Sequence, residues 1–314
     1  MKKLITLIVL VMVLLNGTTV RAQEPKADKK LPELYGHTFP SLSYFRSSFV
    51  NTSLQANLGF GMTSTLSIPG IIIDDIEILS FEGQMLFFDM KVKYQQRFTP
   101  WLALYFSFNT AGRIGTDMST IMADGVNTLN GGTIGWLVRI RKTERFNLSG
   151  TVNLTNLTGN FINVSEYFRD LINNNPNPSL TKKIPAMAMG VGLLGAYAFS
   201  PSFGMQFSGE YAYGESFELE ENDGYFSAGI IGDYDFYPKQ NVPVGLALGY
   251  TITSAPEVVL SDGGLANLAV LKLGYTGSDD FELGLQYSIF NARIQSVEEK
   301  PFVNKFMLML KFYF

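Results

Sequence analysis

The chain has 314 residues, no cysteine, a single histidine and 24 basic against 28 acidic side chains. Without cysteine there is no thiolate catalysis, no thiolate metal site and no disulfide, and the acidic balance argues against nucleic acid as a partner. The chain is 46% hydrophobic and rich in Phe (25), Tyr (15) and Gly (30), with its apolar residues in alternation, which leaves a soluble β-sandwich or a membrane barrel.

The first elements in chain order are an export tag and a short leader. Lys2 and Lys3 precede an apolar stretch from Leu4 to Leu15, and Val20-Arg21-Ala22 forms a small-residue cleavage pattern. Twelve residues fall short of the roughly 20 that a membrane-spanning helix needs. Residues 1–22 are therefore expected to be a signal peptide, with Gln23 as the first mature residue. Without Lys2, Lys3 and Arg21 the remaining 292 residues carry 21 basic and 28 acidic groups, a net charge of −7. Residues 23–52 are expected to form an N-terminal periplasmic or plug-like segment ahead of a barrel over 53–314.

Twelve alternating segments follow: 53–64, 84–98, 101–113, 132–142, 146–157, 185–199, 203–214, 225–237, 243–254, 265–276, 280–293 and 302–314. Most are longer than the five or six residues typical of soluble strands, and they match the roughly 9–11 that a tilted strand needs to cross hydrocarbon. Tight turns such as Thr99-Pro100 and Ser200-Pro201-Ser202 alternate with longer loops at 65–83, 114–131, 158–184, 215–224, 255–264 and 294–301. Short periplasmic turns opposite longer external loops are the pattern of outer-membrane barrels, and a sandwich gives no reason for it. The expected fold is all-β: a closed, antiparallel, up-and-down transmembrane β-barrel of about twelve strands in the outer membrane of a Gram-negative cell.

The last segment puts Phe306, Leu308, Leu310, Phe312 and Phe314 on one face and Lys305, Met307, Met309, Lys311 and Tyr313 on the other. The uncharged face must meet lipid. This alternation ending in a terminal Phe resembles the assembly signal of outer-membrane barrel proteins. The resemblance implies insertion by the outer-membrane assembly machinery, among outer-membrane lipid and lipopolysaccharide. A barrel preceded by an N-terminal segment is also similar to the long-chain fatty-acid transporter family, with 23–52 as counterpart of its hatch. That family has fourteen strands, and its Asn-Pro-Ala-type hatch motif is missing here.

Several groups of residues bear on function. Outer-membrane phospholipases also resemble twelve-stranded barrels, but a serine mechanism needs a base. The one histidine, His37, precedes every predicted strand and reads as a surface or hatch residue, so no enzyme and no catalytic residue is expected. In the lumen, Asp89, Lys91, Lys93, Arg97, Arg139, Arg141, Lys305 and Lys311 take the inward phase on one side, and Glu210, Asp233 and Asp235 on the other. Lys272 and Glu282 fall between. A basic wall opposite an acidic one would set a transverse field in an open pore, or pair across a closed lumen. Inward positions on 185–199 are mostly Ala and Gly, leaving space for residues 23–52 or for the longest loop, or simply easing curvature.

In loop 158–184, Asn163 and Glu166 form a capping pair ahead of Val164, Phe168, Leu171 and Ile172 at helical spacing. This predicts a short amphipathic helix, either gating the lumen or capping its mouth. The outer loops carry Asp74, Asp75, Glu77, Glu82, Glu215, Glu218, Glu220, Glu221 and Asp223. They lack the ordered spacing of a calcium loop, so no metal and no cofactor is expected. The functional expectation is a passive transporter or small channel with a charge-lined lumen and an unidentified solute. The alternatives are a closed barrel with a structural, adhesive or assembly-accessory role and, least favoured, a lipid-processing enzyme.

Overall fold

A computed structural model describes residues 31–73, 76–114, 125–215, 222–254, 265–291 and 302–314. The expected signal peptide lies outside these residues, as do Asp74, Asp75, Glu218, Glu220 and Glu221 of the acidic loops.

The described chain opens with a miniature hairpin, β1 (Glu33–Leu34) and β2 (His37–Thr38). Alternating segments then follow: β3 (Ser53–Thr63), β4 (Leu66–Ile73), β5 (Ile76–Gly83), β6 (Leu86–Thr99), β7 (Leu102–Ile114), β8 (Gly125–Lys142) and β9 (Phe146–Ile162). Helix α1 (Val164–Ile172) leads to β10 (Thr181–Ser200), β11 (Phe203–Gly214) and β12 (Asp223–Asp235). A single helical turn, α2 (Tyr237–Gln240), precedes β13 (Val244–Thr253), β14 (Ala266–Tyr275), β15 (Phe281–Asn291) and β16 (Phe302–Tyr313). Twelve of these strands, β3 and β6 to β16, close one antiparallel barrel in which each strand pairs with its barrel neighbours in sequence and β16 returns to β3. At the seam Phe306 stands opposite Phe60 and Leu308 opposite Leu58.

Polarity is inverted relative to a water-soluble barrel. Phe306 is 66% exposed and Leu285 63%, whereas Lys272 on the inner face is 1% exposed. The alternation of β14, buried then exposed along its whole length, is the pleat expressed as two environments. Leu248, Tyr250, Phe106 and Phe108 are exposed on the outside, and so are Phe306, Leu308, Phe312 and Phe314 of the C-terminal segment. Aromatic rings gather at the short-turn end, where Tyr197, Phe199 and Phe203 contact in sequence and Tyr275, Phe281 and Phe312 do likewise. An apolar band with an aromatic girdle is the outer surface of a barrel set in lipid.

Three expectations need correction, two at the long-loop end and one at the short-turn end of β8. Within the expected loop 65–83, β4 pairs with β5 in a separate two-stranded sheet outside the barrel ladder, with Glu77 and Glu82 in β5. Strands β8, β9 and β10 extend past their expected ends into 125–131, 158–162 and 181–184. A cluster of Leu129, Leu157 and Ala186, backed by Ala111, Phe161 and Ile184, gives that extension its packing. Pro185 reads in sequence as a strand limit, yet it pairs with Thr158. Strand β11 has ended by then, at Gly214, so β10 is an edge strand, the setting in which Pro is tolerated. Finally, a register shift between Arg139 and Arg141 changes the phase of β8. Arg139 stays opposite inward-facing Ser149, but Arg141 falls opposite Leu148 and is exposed at the rim, so it is not part of the lumen wall.

Candidate functional site: a self-filled lumen and the cavity beside it

Residues 31–52 run inside the barrel. Hairpin β1–β2 turns at Tyr35-Gly36, both at positive φ (50° and 79°), which suits a two-residue turn matched to strand twist. The Tyr35 ring lies under the Arg145 guanidinium of the β8–β9 turn at 3.8 Å, placing the hairpin at the short-turn end. His37 is fully buried: its Nδ1 is 3.2 Å from the Pro201 carbonyl oxygen and its Nε2 bonds the Asp233 carboxylate. Phe39 meets the imidazole edge-on at 4.7 Å and packs with Phe49, Leu34, Ala196 and Ala198. The wall is small here because it must be. A Cβ on Gly204 would sit 2.4 Å from the His37 ring and 2.7 Å from Phe39.

Beyond Phe39 the segment rises along the lumen and turns back. It has no ladder of its own, so its buried backbone groups need side-chain partners. The inner wall supplies them. Glu282 accepts the Ser41 N–H at 3.0 Å, and Lys272 donates to the Ser41 carbonyl at 2.6 Å while also pairing with Glu282. Lys311 donates to Ser41 Oγ at 2.9 Å. Gln286 exchanges two hydrogen bonds with Ser43, and Gln206 donates to the Pro40 carbonyl at 3.0 Å. The Lys93 ammonium faces the carbonyls of Leu42, Ser43 and Phe45, the closest at 2.7 Å. On the descending limb, Asn147 and Ser149 donate to the Ser48 carbonyl, and Gln95 to those of Phe49 and Asn51. Apolar anchors fill the gaps. Leu42 and Phe45 pack on Ile231, Ala247, Leu268 and Val270, and Val50 on Ala103, Leu137 and Leu194.

At the turn of this segment, Arg46 reaches Glu210 Oε2 at 3.2 Å and Thr151 Oγ1 at 3.3 Å, with its guanidinium 4.3 Å above the Tyr105 ring. Asn153 holds the other Glu210 oxygen at 2.7 Å. Tyr44 lies beside Lys305, which pairs with Asp89. Burial raises the Tyr44 phenol above its usual range, so it keeps its proton.

These contacts reassign the predicted lumen charges. Glu210 and Asp233 bind the inserted segment, while Asp235 holds Thr276 Oγ1 and the Tyr237 N–H at the short-turn end. The expected acidic and basic walls do not face one another across open space, because residues 31–52 stand between them. Arg97 and Arg139 lie near the short-turn ends of β6 and β8, away from the remaining space.

That space is a cavity of about 220 Å³ beside the turn of the inserted segment. Its lining runs from Ser53, Gln55 and Lys311 near the short-turn ends of β3 and β16, past Thr155 midway along β9, to Tyr225 and Thr253 near the long-loop ends of β12 and β13. Lys91, Lys93, Arg46 and Glu210 border its middle. The expected gating helix is elsewhere. Asn163 Oδ1 caps α1 by accepting the Glu166 N–H at 2.8 Å, Val164 is buried, and Leu171 and Ile172 are exposed. Helix α1 lies against β4, and neither Phe168 nor any other α1 residue borders the cavity.

The residues that hold the inserted segment include several that sequence reasoning passed over: Gln95, Asn147, Ser149, Asn153, Gln206 and Gln286. Their signal was available in outline, since each is an amide or hydroxyl in the inward phase of a membrane-length strand.

No protein-family model matches the chain, and no curated protein matches it. Among solved structures it is similar to the NanC porin, with a TM-score of 0.49, 8% identity, and coverage of 83% of this chain and all of that one. It is also similar to the translocator domain of the autotransporter NalP from Neisseria meningitidis, with a TM-score of 0.48, 9% identity, and 87% and 91% coverage. A FadL homologue from Pseudomonas aeruginosa aligns with a TM-score of 0.43 and 9% identity over 84% of this chain and 90% of its own. The likeness to all three is one of barrel architecture.

Proposed function

We propose that the chain is an outer-membrane transporter of small polar solutes, plugged by its own N-terminal segment and passable along one side of that plug. The observation that carries this is the cavity, whose lining extends along the inserted segment from near one barrel end to near the other. The apolar exterior and its aromatic girdle favour a lipid setting. The terminal Phe314 and its alternating partners favour delivery by the outer-membrane assembly machinery, with the short-turn end in the periplasm and lipopolysaccharide around the longer loops. Cysteine-free export through residues 1–22 fits the same route. Catalysis has little support, because both ring nitrogens of His37 are engaged and the side chain is buried away from the cavity.

A sealed structural barrel is the second reading, favoured by the density of contacts that tie Ser41 to the wall. Planar-bilayer conductance of the refolded chain separates the two. A transporter gives small, discrete currents that grow when residues 31–50 are deleted. A barrel silent in both forms contradicts the proposal.

A further inference from the structure

We infer that the cavity beside the plug takes a small hydroxylated organic anion, a carboxylate of sugar-acid type. This rests on the transporter reading and names the solute class for the same passage.

The charge around the cavity does not balance. Arg46, Lys91, Lys93 and Lys311 line it, against a single carboxylate, Glu210. That carboxylate is already occupied by Arg46 and Asn153. The other inner-wall acids are used elsewhere: Asp89 by Lys305, Asp233 by His37, Glu282 by Lys272, and Asp235 by Thr276 and the Tyr237 N–H at the short-turn end. Lys91 is left facing the space, with Lys93 and Lys311 at its border. Lys93 and Lys311 bond only neutral oxygens, the plug carbonyls and Ser41 Oγ. Lys91 makes no hydrogen bond or ion pair among the described residues. A narrow passage bearing uncompensated positive charge concentrates anions and repels cations.

The rest of the lining is suited to hydroxyl groups rather than to an acyl chain. Ser107, Asn109, Thr133, Thr155 and Ser227 present donors and acceptors, and the Tyr105 ring offers a flat face. Arg46 uses only Nη1 toward Glu210 and Thr151, which keeps its remaining N–H groups available to a carboxylate. The cavity, at about 220 Å³, exceeds what a halide ion requires.

The test compares D-gluconate with D-glucose, which differ chiefly in charge, using the full-length protein. Flux is measured in proteoliposomes, and binding by equilibrium dialysis of the detergent-solubilised barrel. Gluconate should enter about tenfold faster than glucose at low salt, and the preference should shrink at 1 M salt, where the screening length falls to about 3 Å. Lys91→Gln should lower gluconate flux about fivefold relative to glucose flux in the same variant, as expected for one unit charge at a distance of several ångströms. Lys91→Glu should reverse the preference. Lys91 has no partner to lose among the described residues, and retention of the heat-modifiable band on gels verifies the fold of both variants. Equal entry of the two probes, indifferent to Lys91, overturns the anion inference and leaves the passage standing. If neither probe enters, the passage reading fails, and dialysis decides the inference. Saturable gluconate binding lost in Lys91→Glu upholds it, and no binding overturns it.

Discussion

Replacing Phe39 by Ala should release the plug without unfolding the barrel. Phe39 is 1% exposed and packs on Phe49 and Leu34 of its own segment and on the methyl groups of Ala196 and Ala198, whose backbone pairing in β10 does not involve Phe39. Truncating a buried Phe costs about 3–5 kcal/mol, and every 1.4 kcal/mol is tenfold in an equilibrium constant. The docked-to-undocked ratio should therefore fall by roughly two to three and a half orders of magnitude if the whole cost falls on docking. A further Phe49→Ala should add less than the same again, because the two rings touch at 5.3 Å and share their cost. The chain contains no cysteine, so Ser48→Cys introduces a unique probe on the descending limb. Ser48 is 1% exposed, and maleimide labelling at that position reports undocking. Labelling should accelerate about a hundredfold or more when Phe39 is truncated, at unchanged heat-modifiability. An unchanged rate in a folded barrel would refute the view that this apolar cluster anchors the plug.

Other perturbations follow from the same contacts. Glu282→Gln leaves Lys272 buried without its carboxylate and should cost about 3–5 kcal/mol, seen as a lower unfolding midpoint in detergent. Gly204→Phe should displace His37 and Phe39 and mimic plug release in the labelling assay. Asn163→Ala removes the α1 cap and should cost the helix about 1 kcal/mol, raising protease sensitivity near residue 170 while leaving conductance unchanged. Deleting Phe314 should slow assembly into the outer membrane more than it lowers the stability of barrel refolded in detergent.

Strand number and facing were legible because a pleat has a fixed period of two, and lipid enforces it along each strand. The limits of β11 follow directly from that alternation. What escaped the alternation was whatever local pattern does not determine. Pro185 looked like an end because its neighbour across the ladder, Thr158, cannot be seen from position 185. Arg141 looked inward because a single extra residue in β8 shifts everything after it. The short hairpin at Tyr35-Gly36 carries almost no apolar signal, and its position depends on Arg145.

The candidate site was legible only as a list of inward charges. Their partners lie far along the chain: Ser41 with Glu282, His37 with Asp233, Arg46 with Glu210. Nothing local predicts which carboxylate meets the plug and which faces open space. That distinction turns an apparent pair of opposed walls into a lumen filled by residues 31–52 with a cavity at its side.

The most direct test of that account is thiol-reagent block of conductance at single introduced cysteines. Gln55→Cys, Lys91→Cys and Thr155→Cys sample the cavity from three strands, β3, β6 and β9, while Leu308→Cys faces outward. Attachment of a bulky maleimide should reduce current at the first three positions and leave it unaltered at Leu308. Currents indifferent to modification at 55, 91 and 155 would contradict the passage beside the plug.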